Sequence, residues 1–217
     1  ALRDFTLPDP RFASAAGLRA NHHSVFGTTY NPKLRLGFSG KGPHAALEVS
    51  RSSNTPSFQQ RYYESTFTRA NPGLDMERAT NVKAVISDTA TVSVSWSVAL
   101  FHNEIEEAIA YMPNGDGTYS YRNIAASTRR GFDGSVDWNL APSLRLSASY
   151  LYLEFTDDAT GHYIPHKPRH KAKLTLHHNA GRLSTVLIAN HVGDSYDDEA
   201  NTAVLSGHTT VDGKWSY

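Results

Sequence analysis

The feature that most constrains this chain is a strict alternation of apolar and small residues between Val92 and Leu100. The apolar parity contains Val92, Val94, Trp96, Val98 and Leu100, and the other contains Ser93, Ser95, Ser97 and Ala99. A period of two places the two sets on opposite faces of a β-strand. We therefore predict a strand over residues 91–109 that has one apolar face.

The same period recurs along most of the sequence and predicts about ten strands joined as antiparallel hairpins. The predicted strands are 15–21, 33–38, 44–51, 81–87, 92–109, 119–138, 144–152, 171–177, 183–192 and 209–217. Residues 1–13 contain two prolines and are predicted to form a loop. Short turns at 40–43, 87–90, 139–143 and 179–182 alternate with long connections at 52–77, 157–168 and 193–203.

This alternation of short and long connections is typical of transmembrane β-barrels, whose turns on one side of the membrane are short. The polar parities carry charges such as Lys33, Glu48, Lys83 and Arg145, which suit a wet barrel interior or the surface of a soluble sheet. No apolar run reaches the ~18–20 residues of a membrane helix. The pattern alone favours a barrel and leaves a soluble β-domain open.

Composition narrows the function classes. The 217 residues contain 21 Lys+Arg and 21 Asp+Glu, so no basic field indicates a nucleic-acid partner. The absence of Cys excludes disulfides, thiolate metal sites and a cysteine nucleophile. The first residues show no signal-peptide pattern, so we expect any export signal to lie outside this sequence.

Several motifs resemble those of one family. Residues 70–81, ANPGLDMERATN, resemble the N-P-x-L-x-x-E loop-to-strand motif of TonB-dependent outer-membrane receptors. Residues 51–64, 99–109, 119–138 and 147–171 are similar to further motifs of that family in the same order. Phe132-Asp133 and Lys83 depart from the family pattern without changing the faces.

The resemblance implies an all-β fold: an antiparallel transmembrane β-barrel segment of about ten strands from a 22-stranded barrel. Residues 1–217 would be a partial barrel domain from its C-terminal half, with the plug domain and the last strands absent. The implied function is TonB-dependent active uptake of a large, scarce nutrient, such as a siderophore–iron complex or a cobalamin-type ligand. The implied partners are the plug domain of the same parent chain, a TonB-type energy-transducing protein, the ligand and outer-membrane lipid. The implied location is the bacterial outer membrane, and no cofactor is implied.

The resemblance also places the long loop 52–77 at the outer mouth, where members of the family contact ligand. Gln59, Arg61, Tyr62 and Tyr63 are therefore our candidate ligand-binding residues. Aromatic and guanidinium groups suit a chelate or a corrin-like ligand, and the same side chains could instead pack over neighbouring loops.

Other candidate sites are weaker. His162, His166 and His170 recur at a spacing of four, but prolines break the segment, so we predict loop histidines rather than a metal site. The acidic segment 194–199 lacks the spacing and glycine of an EF-hand and is predicted to be a solvated loop.

No G-x-S-x-G, H-E-x-x-H or Walker loop is present, so we predict that the chain is not an enzyme. Two alternatives stay open: a soluble all-β module that binds carbohydrate or another ligand, and an outer-membrane hydrolase on a small barrel.

Overall fold

The computed structural model describes residues 2–6, 9–89 and 93–217 of the chain, and it describes no side chains for 2–6 and Ala125. The strands are β1 (Leu2–Thr6), β2 (Phe12–His23), β3 (Gly27–Ser39), β4 (His44–Asn54), β5 (Thr68–Arg69), β6 (Glu77–Asp88), β7 (Val94–Pro113), β8 (Tyr119–Ala141), β9 (Leu144–Asp157), β10 (His170–Ala180), β11 (Leu183–Val192), β12 (Ser195–Tyr196), β13 (Val204–Leu205) and β14 (His208–Ser216). A single helical turn, α1, covers Phe58–Tyr62. Among the described residues, no helix has the length and apolar character needed to cross a membrane.

Twelve strands form one sheet in the order β1-β2-β3-β4-β6-β7-β8-β9-β10-β11-β14, and β5 pairs with β8 beside this path. Neighbours along the path are antiparallel, while β5 and β8 are parallel. In the described part of the chain, β1 and β14 do not pair with each other, so the sheet is open. The strands β12 and β13 form a separate two-stranded sheet within one loop.

The register sorts the side chains into two faces. One register row joins Leu36, Leu47, Ala84, Leu100 and Phe132 across five strands. We call this the apolar face; Leu36, Leu47 and Leu100 are 45%, 44% and 58% exposed there. Such exposure is unusual for large apolar side chains and suits contact with lipid.

The opposite face, which we call the charged face, carries ionisable side chains at the level of the apolar row. Arg35, Glu48 and Lys83 lie in one register row across β3, β4 and β6. The ammonium of Lys33 lies 2.7 Å from the Glu48 carboxylate. Asp137 on β8 accepts hydrogen bonds from Arg145 and Ser147 on β9. These groups need water or a polar partner, which the interior of a wide barrel provides.

All ten predicted strands are present, and so is the alternation of their connections. Short turns at 40–43, 142–143 and 181–182 define one end of the sheet, the short-turn end, where β6 also ends at Asp88 and β7 begins at Val94. The longer segments 55–76, 158–169 and 193–207 define the other, the long-loop end. Ala90, Thr91 and Val92, where we predicted a turn and the start of a strand, lie outside the described residues.

Two expectations about the strands were wrong. Part of 1–13 forms β1 and the start of β2, because five residue pairs from Leu2–Gly17 to Thr6–Ala13 hold the chain in the ladder. The segment 52–77 contains α1 and β5 rather than only irregular chain. The strands β7 and β8 have 20 and 23 residues, close to the predicted lengths and about twice the 9–11 residues that suffice for a membrane span.

The hairpin β7–β8 has an unusual backbone conformation at Glu107. The φ of this residue is 54°, which is uncommon outside glycine. Beyond it, Ala110 and Met112 are 8% and 6% exposed and pack with Ile164 from the 158–169 loop. The part of the hairpin beyond Glu107 is therefore covered by a loop and forms a small core at the long-loop end.

Candidate functional site

The candidate ligand-binding residues lie on and beside α1 at the long-loop end. Ser57 caps the helix: its hydroxyl accepts from the Gln60 amide at 3.2 Å, and the Gln60 side chain accepts from the Ser57 amide at 2.8 Å. This reciprocal capping box starts the helical turn, which was not predicted from the sequence. The helix ends at Tyr63, whose extended backbone returns the chain to the loop.

Three of the four candidates present free surface. Gln59, Tyr62 and Tyr63 are exposed, and Tyr62 and Tyr63 are 44% and 49% exposed. Arg61 is half-buried, and its guanidinium donates two hydrogen bonds to the Pro72 carbonyl, at 2.6 and 3.1 Å. The guanidinium also lies over the ring of Phe26, 5.4 Å from its centroid. Arg61 thus ties α1 to two other loop segments, while the other three residues face outward.

The rest of the 55–76 loop is fixed against the β7–β8 hairpin. The Thr68 hydroxyl lies 2.7 Å from the Tyr111 hydroxyl. The Asn71 side chain donates to the Tyr121 carbonyl at 2.9 Å. Leu74 is 2% exposed, so the loop has an apolar anchor of its own. The N-P-x-L-x-x-E segment therefore holds the loop on the hairpin and leaves α1 at its outer edge.

A second pair of loops packs beside the hairpin. The Tyr163 amide donates to the Asn201 side chain at 2.7 Å, and Asn201 donates back to the Tyr163 carbonyl at 2.9 Å. His162 Nδ1 lies 2.9 Å from the Glu199 carbonyl oxygen. The Glu199 carboxylate pairs with Arg122 of β8 at 2.5 Å. The 158–169 and 193–207 loops are thus joined to each other and to the hairpin.

An aromatic cluster that sequence reasoning missed lies among these loops. The rings of Tyr163 and Tyr196 stack with centroids 6.0 Å apart, and the Arg169 guanidinium lies 4.9 Å from the Tyr163 ring. Tyr119 stands 6.5 Å from His166. These residues are spread from position 119 to 196, so only the packing of three loops brings them together. Their residue types, aromatic with one guanidinium, were the available signal.

The three histidines considered as metal ligands do not converge. His162 contacts the Glu199 carbonyl, His166 lies 3.5 Å from the Asp197 carboxylate, and His170 lies 2.7 Å from the Tyr150 hydroxyl. Within the described ranges, no group of three His, Asp or Glu side chains is placed to hold a metal ion.

The acidic loop uses its carboxylates for separate local contacts. Asp194 accepts from the Gly207 amide at 2.7 Å, and Asp198 accepts from the Thr202 hydroxyl at 2.6 Å and the Ala203 amide at 2.9 Å. The Thr202 hydroxyl and then the Ala203 N–H hold the pKa of Asp198 below its ordinary value, because both donate to its charged form. These carboxylates therefore organise the loop.

Comparison with known proteins assigns the fold. The family model described as TonB dependent receptor-like, beta-barrel matches residues 3–217. The vitamin B12 transporter BtuB of Photobacterium profundum is 26% identical over 208 residues, covering 92% of this chain and 33% of the relative. The ferric enterobactin receptor of Pseudomonas aeruginosa is 23% identical over 195 residues, covering 74% of this chain and 25% of the relative. The chain thus spans about a third or less of the length of these relatives.

Solved structures agree with this assignment at the level of the fold. A mutant ferric enterobactin receptor from Pseudomonas aeruginosa in complex with enterobactin superposes with a TM-score of 0.74 at 20% identity, over 96% of this chain and 36% of that one. The siderophore receptor PirA from Acinetobacter baumannii gives a TM-score of 0.73 at 16% identity, over 97% of this chain and 38% of that one. The chain belongs to the TonB dependent receptor-like β-barrel family.

Proposed function

We propose that this chain forms part of the wall of an outer-membrane receptor for TonB-dependent active uptake of a large, scarce nutrient, either a siderophore–iron complex or a cobalamin-type ligand. The observation that carries the proposal is the family match over residues 3–217 on a sheet with one exposed apolar face and one charged face. Relatives named as a vitamin B12 transporter and as a ferric enterobactin receptor support both ligand classes. The same match favours this function over a soluble carbohydrate-binding module or an outer-membrane hydrolase.

The proposed mechanism divides the work between the faces and the loops. The apolar face meets outer-membrane lipid, and closure of the barrel pairs the backbone groups that lipid cannot hydrogen-bond. The charged face lines the conduit and contacts a plug domain of the same parent chain. A TonB-type energy-transducing protein moves that plug, so residues 1–217 act as one partial barrel domain and carry out no reaction of their own.

The ligand arrives at the long-loop end, where we propose that Gln59, Arg61, Tyr62 and Tyr63 contact it. Tyrosine offers a large, rigid surface with a polar tip, and such side chains often dominate binding energies. The exposed rings of Tyr62 and Tyr63 supply that surface. Arg61 holds α1 through the Pro72 carbonyl, so its guanidinium contributes chiefly by positioning the rings.

Uptake by the full-length protein tests this proposal. A strain that lacks the parent gene is complemented with the wild type, with the double variant Tyr62→Ala/Tyr63→Ala, or with Phe67→Ala, and is given radiolabelled ferric siderophores and cobalamin. Phe67 is the matched control, because it is 68% exposed in the same loop but lies beyond α1. We expect the wild type to transport one ligand class. We expect the apparent affinity for that ligand to fall about tenfold or more in the double variant and to stay unchanged in Phe67→Ala.

Two outcomes would contradict the proposal. Wild-type cells that transport neither ligand class, while the protein is folded in the outer membrane, would overturn the uptake function. Equal affinities for the double variant, the control and the wild type would overturn the assignment of the site to α1.

A further inference from the structure

Two depressions lie on the apolar face and share the strands β3, β4, β6 and β7. The first, which we call the groove, has a volume of about 630 Å³, is lined almost entirely by apolar side chains and also includes Phe12 of β2. Its lining combines large side chains, such as Leu36, Leu47 and Leu100, with the small residues Ala45 and Ala84.

The second depression, which we call the cleft, has a volume of about 600 Å³ and lies nearer the long-loop end. Arg51, Arg78, Glu104 and Glu106 line it together with hydroxyl groups that include that of Thr80. The register puts Arg51, Thr80 and Glu104 in one row, on the same parity as the row of Leu47, Ala84 and Leu100. Groove and cleft therefore open on the same side of the sheet.

Their separation suits one membrane leaflet. Arg51 follows Leu47 by four positions on β4, which corresponds to about 13 Å along the strand and, for a strand tilted by about 40°, to about 10 Å along the membrane normal. Half of a hydrocarbon core about 30 Å thick is about 15 Å, and a long arginine side chain carries its charge further toward the interface. When the groove lies among acyl chains, the guanidinium groups of the cleft therefore reach the depth of the headgroups.

The arginines of the cleft are available to an anion. In the described part of the chain, neither Arg51 nor Arg78 forms a salt bridge, although Glu106 is the cross-strand neighbour of Arg78. Arg130 on the same face differs, because its guanidinium pairs with Glu154 at 2.7 Å. A guanidinium binds phosphate through two parallel hydrogen bonds, so two unpaired ones at headgroup depth favour a phosphorylated lipid.

The size and polarity of the cleft indicate the kind of headgroup. A volume of about 600 Å³ equals the share of about twenty water molecules, far more than one phosphate group fills. Hydroxyls such as that of Thr80 suit the hydroxyls of a sugar.

We propose that groove and cleft form one binding site for a phosphorylated glycolipid of the surrounding membrane, with an acyl chain in the groove and a sugar phosphate held by Arg51 and Arg78. The proposal rests on the membrane-spanning part of the proposed function. It does not depend on which nutrient is transported, because the site lies on the opposite face of the wall from the conduit.

Native mass spectrometry of the detergent-purified full-length protein tests the site. The probe is an acylated, diphosphorylated glucosamine disaccharide, compared with its deacylated form, with phosphatidylethanolamine and with inorganic phosphate. The variants are Arg51→Gln/Arg78→Gln and, as a control that removes one arginine at the short-turn end, Arg11→Gln. We expect the double variant to bind the glycolipid about tenfold or more weakly and Arg11→Gln to bind like the wild type.

A groove-filling variant, Ala84→Trp, tests the acyl half separately. We expect it to weaken binding of the acylated probe and to leave the deacylated probe unchanged. Equal affinity of the wild type and the double arginine variant for the glycolipid would overturn the proposal, as would equal binding of phosphatidylethanolamine and glycolipid by the wild type. Nutrient uptake by the wild type is measured alongside, so absence of wild-type uptake with intact glycolipid binding would count only against the proposed function.

Discussion

Polar side chains satisfy backbone groups around Glu107 in the β7–β8 hairpin. The register is the same on both sides of this residue of positive φ, with the pairs Glu106–Ala126 and Ala108–Ile124. The Asn123 side chain donates to the Glu107 carbonyl at 2.8 Å. Glu77 accepts from the Ile109 amide at 2.7 Å and from Asn54 at 2.7 Å. Because a buried backbone group without a partner is costly, these side chains make the conformation of Glu107 tolerable.

Glu77 is the residue whose removal should weaken this part of the hairpin most directly. In the full-length protein, we expect Glu77→Ala to lower the free energy of unfolding by about 1–3 kcal/mol, because the Ile109 amide loses its acceptor. Hydrogen exchange of that amide should accelerate. Glu64→Ala, an exposed carboxylate in the same loop, is the control. Unchanged exchange at Ile109 would show that Glu77 is not its effective partner.

Asp198 predicts a pH dependence of the loop that contains β12 and β13. Hydrogen bonds from the Thr202 hydroxyl and then the Ala203 amide hold its pKa below the unfolded value of about 3.9. Because the pKa is lowered in the folded state, the stabilisation of the loop by the Asp198 carboxylate is present above the unfolded pKa. It is lost as the pH falls through the folded pKa. We expect the Thr202 and Ala203 amides to stay protected from exchange at pH 5–7 and to lose protection only below about pH 3.9.

The variant Asp198→Asn provides the comparison for this titration. The neutral amide accepts weaker hydrogen bonds, so we expect reduced protection of both amides at pH 7 and little further change on acidification. Loss of protection in the wild type between pH 5 and pH 7 would contradict the role of Asp198.

At the scale of single strands, Gly131 determines how closely β8 and β9 approach. A Cβ built on Gly131 would overlap the Tyr152 carbonyl oxygen of β9 and lie 3.0 Å from the Phe101 ring. We expect Gly131→Ala to destabilise the full-length protein by about 1–3 kcal/mol, because the ladder must shift. Gly134→Ala is the control, since nothing lies within 4 Å of its added Cβ. The measurement is the temperature at which the folded gel band converts to the unfolded one; equal temperatures for the two variants would refute the argument.

The strands also show where sequence reasoning succeeds and where it stops. Where the apolar face and the charged face lie opposite each other, a period of two was sufficient to predict the strands, because lipid on one side and water on the other impose opposite preferences on alternate residues. Between Glu107 and the long-loop end, both faces of the hairpin contact other protein segments. Ala110, Tyr111 and Met112 therefore show no alternation of apolar and polar residues. The strand β1 was missed because its evidence is its pairing with β2, and β8 continues three residues past the predicted end at 138, through an irregularity in its pairing with β9 between Asn139 and Ala141.

The site was less predictable than the strands for a related reason. Residue types in the 52–77 loop indicated Gln59, Arg61, Tyr62 and Tyr63, and that assignment stays a prediction. The contact of Arg61 with the Pro72 carbonyl and the meeting of Tyr119 with His166 depend on how loops far apart in sequence pack. Alternation carries no information about such packing.

At the scale of the whole molecule, the chain is an open wall with two edges. Every residue of β14 is exposed, and in the described part of the chain β1 and β14 each have one strand neighbour. A closed barrel leaves no such edge, and unpaired edges invite pairing with other strands. We therefore expect further strands of the parent barrel to pair there.

The orientation of the wall gives the broadest prediction, because it assigns each strand residue to lipid or to water. Leu100 lies in the apolar row and Ser97 lies on the opposite parity of β7, beside Ser87 and Ser135. An Arg at mid-membrane on the lipid side of a barrel costs about 2–4 kcal/mol, whereas the interior side tolerates it. We expect Leu100→Arg to lower the free energy of unfolding of the full-length protein in lipid vesicles by that amount and Ser97→Arg to change it by less than about 1 kcal/mol. Denaturant titration in vesicles measures both, and a larger loss for Ser97→Arg than for Leu100→Arg would mean that the two faces are the other way round.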